Sequence, residues 1–560
     1  MIDSFDNPML NDPFDATLPN NPYPGLRPFY SSEWTIFFGR ETITDEIINS
    51  LINKHLIIVH GDSGSGKSSL VRAGVLVQLQ QSHTANGQTW RTCAILPRNN
   101  PLDRLAEALA GLITKKPSFD RTFEIRKILD RGKFAPVLLS TLLREANDDR
   151  VCILIDQFEE LFRFAREHNH QEAQVFIDIL TGISTGKTPG LYAILTMRSE
   201  FLGSCSHFQN FAETLNNTQY LLPQIDYDAL RRAIQEPAKL YGGEVSTELA
   251  EKLIADVRGN QDELPLIQHG LIQLWHQHTT GIDQPRHNLR LDIKDIELAQ
   301  SLEALLDQHA SFIQRDLLKR NNKLANLIEH VFRSLTDINA DGKAIRRPLS
   351  YGHLKRDTGA EDVDLHEVLN AFRAEGVNFI TFNGSDNIGN DVVIDISHEA
   401  FIRAWSQLTD PKEGWLWKEF HAGLTWRALQ FQADRFIENP KDRLSAISFT
   451  ERAVWISLLP SPFWCERYGN EQSKVIKLFS ALNYRVFKIW GIVFMSLYLP
   501  YAICGTLAIG DPDNRLSAIP MLTITSVLFG LPAYFCTRRW IRGRRARLLV
   551  QKFFTISLRK

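Results

Sequence analysis

Eight residues, Gly61-Asp62-Ser63-Gly64-Ser65-Gly66-Lys67-Ser68, constrain this chain more than any other stretch. They fit the pattern GxxxxGK[ST] in the context that pattern needs. The apolar run Leu56–His60 precedes them and a helix-like stretch, from about Ser68 and including Ser69, follows. The glycines let backbone N–H groups converge on phosphate oxygens without Cβ clashes. Lys67 is placed to reach β- and γ-phosphates, and the Ser68 hydroxyl to ligate Mg²⁺. A Gly-rich turn without this role has no need of a strand before it and a helix after it.

Short apolar runs alternate with helical stretches. Strands are expected at Leu56–His60, Thr92–Pro97, Val151–Asp156, Leu191–Arg198 and Gln219–Ile225. That alternation predicts βαβ units and a parallel sheet covered on both faces. A P-loop also needs a magnesium-side carboxylate, and Asp156, at the end of Val151–Ile155, is the candidate ligand with Ser68. The residue after it is Gln157, so a water-orienting carboxylate has to come from Glu159 or Glu160, one turn further on. The alternative for those two is a favourable place in the first turn of a helix. Arg198 ends another apolar strand. Its position suits a γ-phosphate sensor, and a plain ion pair with Glu200 is the alternative.

A length of 560 residues suggests three or four folding units. Hydrophobic residues at 44% and charged residues at 23% exclude a disordered chain. The six cysteines are far apart with no CxxC pair, which argues against a disulfide scaffold and a structural zinc site. The net charge of −2 conceals an asymmetry. Residues 538–560 hold nine of the 63 Lys and Arg and none of the 65 Asp and Glu, so the body is acidic and the tail basic. The first 21 residues read as disordered and lack the basic and apolar regions of a secretory signal.

Two stretches near the C-terminus, 489–510 and 516–537, contain no charged residue. Each is 22 residues long, about 33 Å as a helix. A polar turn, Asp511-Pro512-Asp513-Asn514-Arg515, separates them, and both flanks are basic. They read as a transmembrane hairpin with both ends on the cytoplasmic side and the turn outside. Two buried helices of a soluble domain are the alternative.

Several ordered motifs resemble one family. They are Pro22-Tyr23-Pro24-Gly25-Leu26-Arg27-Pro28-Phe29 with Phe37-Phe38-Gly39-Arg40, the loop Gly61–Leu70, and Asp156-Gln157-Phe158-Glu159-Glu160-Leu161-Phe162. Arg198-Ser199-Glu200-Phe201-Leu202, Leu264-Pro265-Leu266 and Ser397-His398-Glu399-Ala400-Phe401-Ile402-Arg403-Ala404-Trp405 complete the set. Over about residues 22–485 the chain resembles the bacterial novel STAND NTPases, first clade, which are conflict-system ATPases. The resemblance implies an α/β P-loop NTPase of the ASCE/STAND type over 22–225, a helical lid over 226–320 and a winged-helix domain over 321–408. A helical segment at 409–488, the two transmembrane helices and the basic tail 538–560 follow. It also implies ATP and ADP as ligands with Mg²⁺, Phe38, Gly39 and Arg40 on the adenine side, Pro265 packed on the base, and His398 on the ADP β-phosphate. Each has a plainer alternative: Phe38 as core, Pro265 as a helix breaker, His398 as a satisfied polar residue. Relatives with sensor repeats after residue 485 differ from this chain, which carries the hairpin there.

The expected function is therefore a membrane-anchored switch and slow ATPase, closed with ADP and oligomeric with ATP, in antiviral defence at the bacterial inner membrane. Its partners would be copies of itself, the membrane and an unidentified trigger. A nucleic-acid-binding regulator using the winged helix is an alternative. The acidic body opposes it, and Arg346-Arg347 is a tight basic pair near the expected recognition helix. A metabolic kinase is a third reading, and it explains neither the winged helix nor the hairpin.

Overall fold

The computed structural model describes residues 17–82, 89–113, 118–146, 150–259, 262–279, 289–296, 301–338, 342, 344–383, 388–438, 462–469 and 472–476. The expected transmembrane helices and basic tail lie outside these residues. Among the described residues, no helix is long and apolar enough to cross a membrane. The chain divides into two compact units, 1–420 and 421–560.

The first unit is built on five parallel strands: β1 (Leu56–Gly61), β2 (Trp90–Ile95), β3 (Arg150–Ile155), β4 (Leu191–Arg198) and β5 (Gln219–Leu221). Their order across the sheet is β2-β3-β4-β1-β5. Successive side chains of a strand point to opposite faces, and here both faces are buried. Leu56, Ile58, Val151, Ile153 and Ile155 enter one core with the helices Pro101–Ile113 and His170–Ser184. Ile57, Val59, Cys152 and Leu154 enter the other, with the helix Glu41–Lys54 and the helix that follows the loop. Burial on both faces explains the unbroken apolar runs. All five expected strands form, β1, β3 and β4 nearly as drawn. β2 sits two residues earlier than expected, and β5 stops at Leu221 because the chain turns through Pro223 toward the next helix.

Beyond the sheet come the helices Tyr227–Leu240, Thr247–Val257, Glu263–Thr279 and Leu302–Arg320. This stretch is not purely helical, as the sequence suggests. Two three-residue strands, β6 (Gly243–Val245) and β7 (Leu289–Leu291), pair in parallel within it. Three residues are too few to show a strand period.

Next come the helix Ala325–Ser334 and the antiparallel pair β8 (Thr336–Ile338) and β9 (Ala344–Arg346), which the sequence reading missed. The helices Tyr351–Thr358 and Asp362–Arg373 then lead to a three-stranded antiparallel sheet. Its strands are β10 (Leu349–Ser350), β11 (Ile380–Asn383) and β12 (Val393–Ile396), in the order β10-β12-β11. The β11–β12 pair is the expected hairpin. Phe332, Phe372, Phe379, Phe401 and Trp405 fill the space beneath it, all fully buried.

In the second unit, Trp426, Leu429, Ala433 and Phe436 of one helix pack on Cys465, Tyr468 and Val475. Lys474 and Asp434 pair at 2.8 Å.

Candidate functional site

Sheet order brings the phosphate end of the site together. β4 lies between β1 and β3, so the C-terminal ends of these three strands carry Gly61, Arg198 and Asp156 side by side, with Gly61 in register with Arg198. The loop after β1 turns sharply into its helix. Gly66 sits at φ +87°, a left-handed conformation that glycine adopts without strain. The helix begins at Lys67–Ser69, passes through a π-turn at Leu70–Val75 and continues as Leu76–Gln81.

Lys67 Nζ donates to the carbonyls of Gly61 (2.9 Å) and Asp62 (2.5 Å) and lies 3.3 Å from Ser65 Oγ. Burial lowers its pKa to about 8, against the pull of Glu159. A phosphate beside it would restore the charged form. Ser68 Oγ donates to Asp156 Oδ1 at 2.8 Å, which leaves its lone pairs directed elsewhere.

A pocket opens over the loop, lined by Ser63, Gly64, Gly66, Lys67, Ser68 and Ser69. Gly61, Asp62 and Ser65 support the loop from behind and do not line it. The apolar side of the pocket is made by Phe29, Ile36, Phe37, Phe38, Ile225, Leu264 and Pro265. Phe38 and Pro265 thus stand where a base could pack, as the resemblance implies. Arg40 lines the pocket too, donating to the carbonyls of Pro223 (3.0 Å) and Ser65 (3.4 Å), so it braces the loop against the end of β5. Gly39 does not face the pocket. At φ +88° it passes so close to the Ala229 carbonyl that a Cβ would lie 2.4 Å from the oxygen. A nucleotide fits this donor set: backbone N–H groups and Lys67 at one end, an apolar slot at the other.

The two candidate carboxylates separate. Glu159 opens the helix Glu159–Glu167 and lines the pocket. Burial raises its pKa to about 7 despite nearby Arg198, and its Oε2 is buried with no hydrogen-bond partner among the described residues. Glu160 turns away to Arg163 at 2.8 Å. Gln157, between Asp156 and this helix, holds φ +55°, a strained backbone for a residue with a side chain.

Residues the sequence reading did not assign complete the site. Glu399, whose side chain is 2% exposed, reaches Ser63 Oγ (3.2 Å) with Oε2 and Arg198 with Oε1. Arg346 of β9 donates to the same Oε1 (3.0 Å) and to Asp395 (2.9 Å). Burial pushes the Glu399 carboxyl up, but Arg346 and Arg198 outweigh it and hold it well below the usual carboxylate range. Arg198 also lies 3.5 Å from Glu159 and 3.6 Å from Glu200. The ion pair with Glu200, the alternative to a sensor role, is the longest of its three contacts.

His398 lines the pocket and caps the helix Glu399–Ala404. Its Nδ1 accepts from the Ala400 N–H at 3.1 Å, which leaves Nε2 as the protonated nitrogen. Burial lowers its pKa to about 4, despite Glu399 and Asp262 nearby. The histidine is neutral, so a hydrogen bond to phosphate takes its charge from the phosphate alone. Asp262, 3.6 Å from Nδ1, is itself clamped by Arg403 at 2.6 and 2.5 Å.

The segment Pro22–Phe29 acts as a strap. Tyr23 donates to the Ile234 carbonyl (2.6 Å), Asn378 donates to the Pro24 carbonyl (3.4 Å), and the Phe29 N–H donates to Ser69 Oγ (3.2 Å). One short motif thereby joins the helices after the sheet, the β11 strand's approach and the loop helix.

The family described as novel STAND NTPase 1 matches residues 22–443. The chain belongs to this family. Its parallel sheet and loop are those of an α/β P-loop NTPase. No curated protein matches the sequence. Among solved structures, this STAND NTPase is similar to a Walker-type ATPase of Pyrococcus abyssi, at 13% identity over 70% of this chain and 99% of that one, with a TM-score of 0.31. It is also similar to the ORC2 protein of Aeropyrum pernix, in ADPNP–ADP complexes (12%, 69% and 92%, 0.35), and to Drosophila ORC bound to DNA (12%, 66% and 87%, 0.32).

For a divalent cation the fit is partial. Ser68 offers a free lone pair. Asp156 does not, because both of its oxygens already accept hydrogen bonds, and Arg72 both donates to Oδ2 and pairs with it as a cation.

Proposed function

We propose that this STAND NTPase is a membrane-anchored switch in which ADP keeps the arrangement described above and ATP releases it. The observation that carries the reading is Glu399. Its carboxylate lies on Ser63 of the phosphate loop and on Arg198, so an anion that binds both must displace it. A nucleotide with a further phosphate competes for those contacts, whereas a diphosphate held by Lys67 and His398 leaves them in place.

In this reading, residues 226–320 form the helical lid and 321–408 a winged-helix domain, for which the helices and the β10-β12-β11 sheet are the right parts. Glu159, with a pKa near neutrality, accepts the proton of an attacking water and gives slow hydrolysis. Release of Glu399 frees the winged-helix part, promotes assembly of copies of the chain and clusters the hairpin 489–510 and 516–537 in the bacterial inner membrane, with both termini cytoplasmic. Clustering is the defence output, and the trigger is unidentified. Against the nucleic-acid reading, Arg346 is spent on Glu399 and Asp395, and Arg347 donates to the Ser334 carbonyl.

The test uses the full chain in membranes. Lys67→Ala removes the positive charge on the β- and γ-phosphates and abolishes ATP-dependent assembly, read by cross-linking, while the melting temperature holds. A label at Asn514 reacts from outside and one at Lys560 does not, and high salt fails to extract the protein. Assembly unchanged by Lys67→Ala sinks the switch. Extraction by salt alone sinks the membrane anchor.

A further inference from the structure

Asp156 ends β3 with its side chain 1% exposed. A carboxylate has about four lone-pair sites, and here four hydrogen bonds take them up. Oδ1 accepts from Ser68 Oγ (2.8 Å), from the Gln157 N–H (3.2 Å) and from Thr196 Oγ1. Oδ2 accepts from Arg72 Nε (3.0 Å), and Arg72 Nη2 lies 2.7 Å from the same oxygen as an ion-pair contact. Burial pushes the Asp156 carboxyl up, but the Arg72 charge and these hydrogen bonds hold it below its ordinary value. The Arg72 guanidinium thus already faces the carboxylate charge from within the chain.

Arg72 belongs to the loop helix and sits inside the π-turn Leu70–Val75. The wider turn resets the register of that helix, a distortion found often at functional sites. Arg72 lines the same pocket as Lys67 and Ser68. A charge-assisted hydrogen bond and a second close nitrogen from one planar group give both strength and fixed geometry. A magnesium ion on Oδ2 has to expel that group, since the two cations repel each other at such range.

We propose that Arg72 stands in for the divalent cation on Asp156, so that this arrangement binds a nucleoside diphosphate without magnesium and accepts the ion only after Arg72 leaves Asp156. The inference rests on the reading of the pocket as a nucleotide site. It makes Arg72 a positioning residue that sets the metal dependence of binding. Ser68 keeps its lone pair for a cation in either arrangement, so the exchange happens on Asp156 alone.

The experiment measures ADP binding to the full chain by calorimetry, with EDTA or with excess Mg²⁺. Wild-type affinity changes by less than about threefold between the two, whereas Arg72→Met makes ADP binding metal-dependent by about tenfold or more, the effect usual when a group beside a metal ligand is altered. A second measurement uses no nucleotide: Mn²⁺ is titrated into the protein and followed by electron paramagnetic resonance. Arg72→Lys keeps the charge but loses the two-point grip on Oδ2, so it binds Mn²⁺ more tightly than wild type. Equal Mn²⁺ affinity in wild type and Arg72→Lys overturns the role of Arg72, as does wild-type ADP binding that collapses in EDTA. Absence of ADP binding under both conditions overturns the nucleotide reading itself.

Discussion

Replacing Glu399 with glutamine tests the switch at its most connected side chain. The substitution keeps shape and one acceptor oxygen but removes the charge that Arg198 and Arg346 share. Breaking a fully buried ion pair from one side costs about 3–5 kcal/mol. Here the arginines retain other carboxylates, Asp395 at 2.9 Å for Arg346 and Glu159 at 3.5 Å for Arg198, and their side chains stay 16% and 18% exposed. The loss is therefore nearer 2–3 kcal/mol, roughly a 30- to 150-fold shift of the closed arrangement toward the open one. Displacement of a fluorescent ADP analogue from Glu399→Gln, followed by stopped flow, is expected to be faster than from wild type. Assembly, followed by mass photometry, is expected at lower ATP. An ADP release rate and an ATP midpoint both equal to wild type would refute the reasoning. A lowered melting temperature with unchanged nucleotide behaviour would assign Glu399 to packing.

His398 caps a helix, and in the proposed function it also holds a phosphate; substitution can separate the two. His398→Ala loses the helix cap, worth about 1 kcal/mol, and His398→Asn restores it, while both lose Nε2; both are expected to release ADP faster, and only the alanine to melt lower. Equal ADP release from wild type and His398→Asn removes the phosphate role. Acid should also weaken the fold. Burial lowers the pKa of His309 and of His398 to about 4 and that of His269 well below its ordinary value, so the folded state binds fewer protons than the unfolded chain below about pH 6.5. The histidines' share of stability is complete above that pH and is lost as pH falls toward 4, by about 1.4 kcal/mol per histidine per pH unit. Melting curves between these limits check it: His309→Gln removes one histidine's share of the slope, and an unchanged slope would exclude a contribution from His309.

The parallel sheet was legible because its rules are local. A strand buried on both faces must be apolar throughout, as Val151–Ile155 is, and the glycines of the phosphate loop follow from backbone geometry that no other residue meets as easily. Helix termini were less legible, and β6–β7 and β8–β9 not at all, because strands of three residues leave no period to read. They exist through their partners. Glu159 and Glu160 looked equivalent in sequence. One helical step separates them, and that step turns Glu159 to the pocket and Glu160 to Arg163.

The chain's sequence by itself determined the phosphate loop, the strands that carry it, and the residues Lys67, Ser68, Asp156 and Arg198 at their ends, since each of these depends on neighbours a few residues away. It also marked Ser397-His398-Glu399 as a motif, without saying what Glu399 touches. Only the tertiary structure decided that Glu399 meets Arg198 across 201 residues and Ser63 across 336, and that Arg72 meets Asp156 across 84. A charge in sequence has no direction. Its partner is chosen when packing removes it from water, because a buried carboxylate is tolerated only beside the cations that the fold places within reach.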